Sequence, residues 1–213
     1  MIIAKIDYIN LLPFYVFLKR HLRSNSSKKA LEYRKGVPSS INEAFKKRRI
    51  EAAMISSVVS KNERCSDFGI VAKKEVLSVL VCPGEEREDS ESSTSNVLAK
   101  ILGLQGEVLI GDKALSKRKK GCVDLAKKWY ERTGLPFVFA RFCYKKRARA
   151  YEKLSKKFLS SNVKIPRYIL KRYAKRSNLT PQEIDAYLDL IHYEIGHKEK
   201  RSLKKFFKLA NIQ

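Results

Sequence analysis

The chain has 213 residues, with 46 Lys and Arg against 22 Asp and Glu and a formal charge of +24. Apolar residues make up 44% of it, more than a disordered chain carries, so it has the material for a buried core, as one domain or as two small lobes. No apolar run approaches the roughly 18–20 residues of a membrane-spanning helix, and the longest near the start, residues 9–18, is interrupted by Asn10 and Pro13. That stretch also lacks the basic lead-in and small-residue cleavage site of a secretory signal, so the expected location is the cytoplasm. Cys65, Cys82, Cys122 and Cys143 lie far apart with no CxxC spacing, which argues for reduced thiols and against a zinc site or disulfide framework.

Residues 1–5 read as a short buried strand, and Pro13 opens a helix over 14–22, since proline suits the first turn of a helix. Asn10 then sits in the strand-to-helix loop, at the carboxyl edge where open α/β sheets bind ligands. A plain turn or cap role suits Asn equally well. A second strand is expected over 31–35 and a loop over 36–39. Ser40 to Glu43 matches a capping box opening a helix over 41–49. Residues 50–55 (IEAAMI) are a buried strand that runs into Ser56 and Ser57. This β-α-β-α-β order predicts a mainly parallel sheet, with Ser39, Ser40, Ser56 and Ser57 in loops at its carboxyl ends.

Two more strands are expected over 68–72 and 76–82, followed by an exposed acidic loop over 83–93. The hydroxyls of Ser92 to Ser95 precede a helix over 96–102, where they suit a cap or an anion site. Strands over 107–110 and 137–142 flank a helix over 123–132. The last third reads as helical, over 145–159, 167–176 and from Thr180 onward. Thr180, Pro181 and Glu183 supply the cap, first-turn proline and third-position acid of a helix start. Ile184, Tyr187, Leu188, Ile191 and Ile195 continue it at helical spacing, and a final helix covers 203–209.

Residues 145–176 hold 13 Lys and Arg and one acidic residue, Glu152. These charges alternate with Leu154, Phe158, Ile169 and Tyr173, the pattern of a solvated helix face over a core. No RNA-binding aromatic signature or zinc finger accompanies them. GxGxxG, GxxxxGK[ST] and GxSxG are absent, and no carboxylates pair at acid/base spacing. His21, His192 and His197 sit in basic, helical surroundings and read as surface or half-buried residues. The residues alone therefore describe an α/β cleft lined by Ser, Thr, Asn and backbone N–H groups, suited to a small anion.

The segments KIDYINLLPF, GVPSSINEAFKKRRIEAAMISS, KEVLSVLV, LIGDKAL, DLAKKWYERTGLPFVFARF and YLDLIHYEIG, in this order, resemble the menaquinone-biosynthesis family MqnA over nearly the whole chain. The pair IGDKAL and TGLPFVFA is the most specific part. The resemblance implies a two-lobed α/β fold like the type II periplasmic binding proteins, with a helical C-terminal region and a shortened second lobe. Lobe 1 would comprise residues 1–76 and about 166–213, lobe 2 residues 77–165, with a ligand cleft between. A hinge is expected near 76–82 and 137–142, running side by side. The chain would be a chorismate dehydratase of the futalosine route, a hydro-lyase giving 3-[(1-carboxyvinyl)oxy]benzoate, with no cofactor, metal, nucleic acid or membrane required. Asn10 and Ser78 would face the substrate and take part in the reaction. Ser56, Ser57, Thr94 and Ser95 would line the cleft, and Ser39 and Ser40 join them by loop position. Residues 83–93 depart from the family, being short and acidic where a strand is expected. Two other readings are the related 1,4-dihydroxy-6-naphthoate synthase, which is expected to use a histidine base, and a non-enzymatic binder of small anions or nucleic acid.

Overall fold

The structure, a computed structural model, describes residues 2–22, 24–117 and 121–211. Of the expected first strand, Met1 lies outside the described residues, Ile3 makes a single parallel bridge to Ala52, and Lys5–Ile6 forms β1. A 3-10 turn, Ile9–Leu11, then carries Asn10 into α1 (Leu12–His21), with Pro13 in the first turn as expected. The strand expected over 31–35 is instead the end of α2 (Asn25–Tyr33). Ser24 Oγ accepts from the Ser27 N–H at 3.2 Å and starts a helix that the sequence reading did not register. Only Lys35–Gly36 remains extended, as β2, parallel to β1.

Helix α3 (Pro38–Lys46) begins ahead of the expected capping box. Pro38 takes the first turn, and Ser40 Oγ donates back to the Val37 carbonyl at 2.9 Å, so Ser40 caps nothing. The chain continues through β3 (Ala52–Ser56), α4 (Ser57–Ser60) and β4 (Cys65–Ala72). The next strand, β5 (Val79–Cys82), starts later than expected. Leu77 adopts φ +58°, and the Val76 and Leu77 N–H groups donate to Asp124 Oδ2 at 2.9 and 2.7 Å. Ser78 consequently stands just before β5, where its carbonyl accepts from the Gly111 N–H at 2.8 Å.

After the acidic loop come α5 (Ser93–Leu102), β6 (Glu107–Ile110), α6 (Gly111–Lys117), β7 (Val123–Asp124) and α7 (Leu125–Thr133). The helix expected from 123 yields its first two residues to β7, because Asp124 Oδ1 accepts from the Ala126 and Lys127 N–H groups and so is the cap. Strand β8 (Phe137–Tyr144), α8 (Ala148–Leu159), α9 (Arg167–Ser177) and α10 (Pro181–Asp189) follow close to expectation, the last with its Thr180–Glu183 capping box formed. Beyond it the apolar spacing does not continue a helix. Residues Ile191–Glu194 form β9, paired with β4, before α11 (His197–Leu209). The edge of β4 offers a row of buried N–H and C=O groups, and pairing them outweighs the helical tendency of a short segment.

The strands form a four-stranded sheet in the order β3-β8-β4-β9 and a three-stranded sheet in the order β6-β5-β7, besides the β1-β2 pair. Both larger sheets are antiparallel. This corrects the expected mainly parallel sheet. Strands β3 and β4 do run the same way, as the βαβ reading requires. However, β8 returns from far along the chain, inserts between them and opposes both. The side-by-side strands are accordingly β4 and β8, not β5 and β8. Residues 79–133 build the smaller sheet and its helices α5, α6 and α7, while β8 and α8 pair and pack with β3 and β4.

The buried side of the larger sheet is aromatic. The ring centroids of Phe14, Phe68 and Phe158 lie 4.8 to 5.2 Å apart, a spacing at which tilted and edge-on rings attract. A second group, Trp129 on α7, Phe137 on β8 and Phe206 on α11, fastens the smaller sheet's helix to the larger one, with the indole N–H donating to Ser202 Oγ at 3.0 Å. In α8 and α9 the residues Leu154, Phe158, Leu170 and Tyr173 are buried while most of the lysines are exposed, so this basic stretch is a solvated helical surface.

The cysteines overturn the reading of free thiols. Cys65 and Cys143 stand opposite each other on β4 and β8 and are disulfide-bonded, and Cys82 is bonded to Cys122. The sequence separations are 78 and 40, so strand pairing brings the sulfurs together and local spacing does not reveal it.

Candidate active-site cleft

A cleft opens where the 3-10 turn, the end of β3, the approach to β5 and the starts of α5 and α6 converge. Its walls are apolar, with Met54, Ile70, Val79, Ile110 and Phe139. Its polar groups are few: Tyr8, Asn10, Ser56, Ser78, Ser92 and Ser95. No charged side chain lines it among the described residues.

Four of the residues singled out from sequence, Asn10, Ser56, Ser78 and Ser95, come together here. The other four do not line the cleft. Ser57 Oγ is buried and donates to the Val138 carbonyl at 2.6 Å, and Thr94 Oγ1 accepts from the Val58 N–H at 3.2 Å. Both hold backbone in place. Ser40 is exposed and bonded to Val37, and only Pro38 of that loop reaches the lining, which leaves Ser39 outside it. The sequence reading missed Tyr8 and Ser92, although Ser92 belongs to the hydroxyl run it had noted.

Each polar group is oriented by neighbours. Ser56 Oγ accepts from Asn42 Nδ2 at 2.6 Å, and the Ser56 N–H donates to Asn42 Oδ1 at 3.2 Å. A hydroxyl that already accepts keeps its own proton available to a ligand. Ser92 Oγ accepts from the Ser95 N–H and caps α5, whose amino end and partial positive charge adjoin the cleft. The Tyr8 hydroxyl donates to Glu91, which Lys113 also holds at 2.9 Å. The ring of Tyr8 lies so close to Gly111 that a Cβ there would be 3.0 Å from it. Burial, together with Glu91, pushes the Tyr8 phenol above its ordinary pKa, so it remains a donor.

Asn10 is held through its backbone, its carbonyl accepting from the Tyr193 hydroxyl at 2.7 Å, while the adjacent Ile9 N–H donates to Asp112 Oδ1 at 3.1 Å. Its side-chain Oδ1 is buried without a partner among the described residues. Ser78 is buried and accepts from the Tyr187 hydroxyl at 2.8 Å. The histidines lie elsewhere. His192 lines a separate cavity with Lys73 and Glu194, and burial and the Lys73 charge lower its pKa.

The surroundings can bind an anion by neutral dipoles, exclude water and fix a conformer, but they offer no strong base. A family described as menaquinone biosynthesis matches residues 1–106 and 103–211. A chorismate dehydratase from Campylobacter jejuni subsp. jejuni serotype O:23/36 (strain 81-176) is 49% identical over 216 residues, covering 98% of this chain and 96% of the relative. Among solved structures, protein AF1704 from Archaeoglobus fulgidus shares the fold, with a TM-score of 0.63 at 13% identity over 98% of this chain and 96% of that one. The Candida albicans CA3427 product, described as having the generic periplasmic binding protein structural fold, aligns at a TM-score of 0.41 and 13% identity over 99% and 90%. With residues 1–211 matched by the family and a relative of this identity, the chain belongs to the menaquinone biosynthesis family.

Proposed function

We propose that the chain is a cytoplasmic chorismate dehydratase, a hydro-lyase that converts chorismate to 3-[(1-carboxyvinyl)oxy]benzoate and water on the futalosine route. The observation that carries the reading is the cleft itself, apolar-walled and furnished only with neutral hydrogen-bonding groups, in a chain 49% identical to a chorismate dehydratase. The ligand is a small dianion. Oriented hydroxyls and the α5 amino end bind such charge without the reorganisation that water would require. We take the two bodies around the β4–β8 crossover as lobes that close on it, which shields the reaction from solvent.

Aromatisation of the ring supplies the driving force, so the protein needs to hold one conformer and guide one proton. Among the described residues, no side chain lining the cleft is basic. The substrate's own enolpyruvyl carboxylate takes the ring hydrogen as a proton, the C–H electrons form the new ring double bond as the C–O bond breaks, and the carboxylate's proton passes to the departing hydroxyl, which leaves as water. Asn10 engages the leaving hydroxyl, and Ser78 donates to a carboxylate. Ser56 and Ser95 complete the binding surface. The naphthoate synthase reading needs a histidine in the cleft, and none of the three lines it.

Purified protein incubated with chorismate should yield a product lighter by one water with an aromatic absorption. Folded protein that leaves chorismate unchanged would refute the assignment.

A further inference from the structure

We propose that Tyr187 is a positioning residue for this reaction, its hydroxyl donating to Ser78 Oγ and so setting the Ser78 proton toward the substrate. The proposal rests on the assignment of Asn10 and Ser78 to the substrate.

Tyr187 sits on α10 with its ring buried, and its hydroxyl reaches Ser78 Oγ at 2.8 Å across 109 positions of sequence. A phenol has one proton to give and an oxygen that accepts. Here that proton goes to Ser78 Oγ, so the Ser78 hydroxyl keeps its own proton to give.

Two groups are left free for a ligand. The Ser78 proton is available to a substrate carboxylate. Asn10 Oδ1 is available to accept from the leaving hydroxyl, which leaves that hydroxyl's lone pair open to the proton it must gain. Burial raises the Tyr187 pKa well above its ordinary value, so the link stays intact across the physiological range. Nothing in the sequence pattern distinguishes Tyr187 from the core positions Ile184 and Leu188 around it.

Tyr187→Phe keeps the ring and removes only the hydroxyl. Its kcat should fall about tenfold or more, the scale of one lost hydrogen bond to a charged group, with KM changed little and the thermal midpoint used to count folded protein. Added to Ser78→Ala, Tyr187→Phe should cost far less than it does alone, because its effect passes through Ser78. Penalties that multiply would overturn the proposal, as would normal turnover by Tyr187→Phe when Ser78→Ala is impaired. Normal turnover by Ser78→Ala would instead remove the site assignment beneath it. If Tyr187→Phe fails to fold, 3,5-difluorotyrosine at position 187 keeps ring and hydroxyl but is more acidic. The alkaline limb of kcat should then move to lower pH, and an unmoved profile counts against the role.

Discussion

Arg176 on α9 meets Asp112 on α6 at 2.6 Å, and its other nitrogen holds Asp7 at 2.8 Å. Asp112 in turn accepts from the Ile9 N–H. One guanidinium thus sets the turn that carries Asn10 against the helix that follows β6. Arg176 is 41% exposed, so solvent screens much of its attraction. Arg176→Gln should cost only about 1 kcal/mol in urea unfolding after that discount, yet raise KM severalfold by loosening the turn. Unchanged steady-state kinetics would deny the pair any part in alignment.

Asp7 gives a test by pH. Burial alone would raise its pKa, but hydrogen bonds from Lys35 and Tyr173 and the charges of Lys5 and Arg176 overcome this and hold it well below the usual carboxylate range. A carboxyl depressed in the folded state contributes its full stability above the unfolded pKa, about 3.9, and loses it as pH falls toward the folded value. The gap in thermal midpoint between the native chain and Asp7→Asn should therefore be steady from about pH 5 to 7 and narrow below about pH 4. Widening on acidification would contradict the sign of the shift.

Asn10→Asp preserves shape but opposes the substrate with a charge. Turnover should fall at least ~10²-fold with folding intact, the scale of a lost oriented group at a developing charge. Ser78→Ala should cost about tenfold or more. Circular dichroism and kcat measured on the same samples decide the matter, and a folded Asn10→Asp protein of near-normal rate would return Asn10 to a turn role.

Gly111 has φ +60° and faces the Tyr8 ring. A side chain there meets both the left-handed backbone penalty of roughly 1–2 kcal/mol and the ring. Gly111→Ala should lower the unfolding free energy by about that amount and reduce kcat/KM by displacing Tyr8 from Glu91. Stability loss with full activity per folded molecule would show that Tyr8 is not needed in place.

The disulfides close loops of 78 and 40 positions. Chain-entropy reasoning assigns loops of this size about 4 kcal/mol each. Unfolding free energies from urea titrations with and without a reductant should differ by about 4 kcal/mol or more, and alkylation before reduction should label none of the four cysteines. Full labelling of the native protein would restore the free-thiol reading.

Much of the helical framework was legible in the sequence because its signals are local. Pro13 and the Thr180–Glu183 box mark helix starts within four residues, and the 3.6-residue rhythm of Leu154 and Phe158 identifies a buried face whatever lies opposite. The apolar strands β3, β6 and β8 were legible for the same reason, and the loop logic and family resemblance together pointed to Asn10, Ser56, Ser78 and Ser95. Ser24 shows the limit on that scale, since a cap before a polar helix carries little periodicity. What tertiary structure alone decided are the pairings between distant segments. Residues 191–194 follow a helical apolar spacing yet become β9, because β4 presents unpaired backbone groups there. Residues 137–144 insert between β3 and β4 and reverse the expected sheet, bringing Cys143 onto Cys65. Tyr187 looks like one more core position on its helix, and only the docking of α10 beside the approach to β5 sets its hydroxyl on Ser78. Such contacts are selected by burial and by the need to satisfy every enclosed polar group across the whole molecule, and no window of the sequence contains both partners.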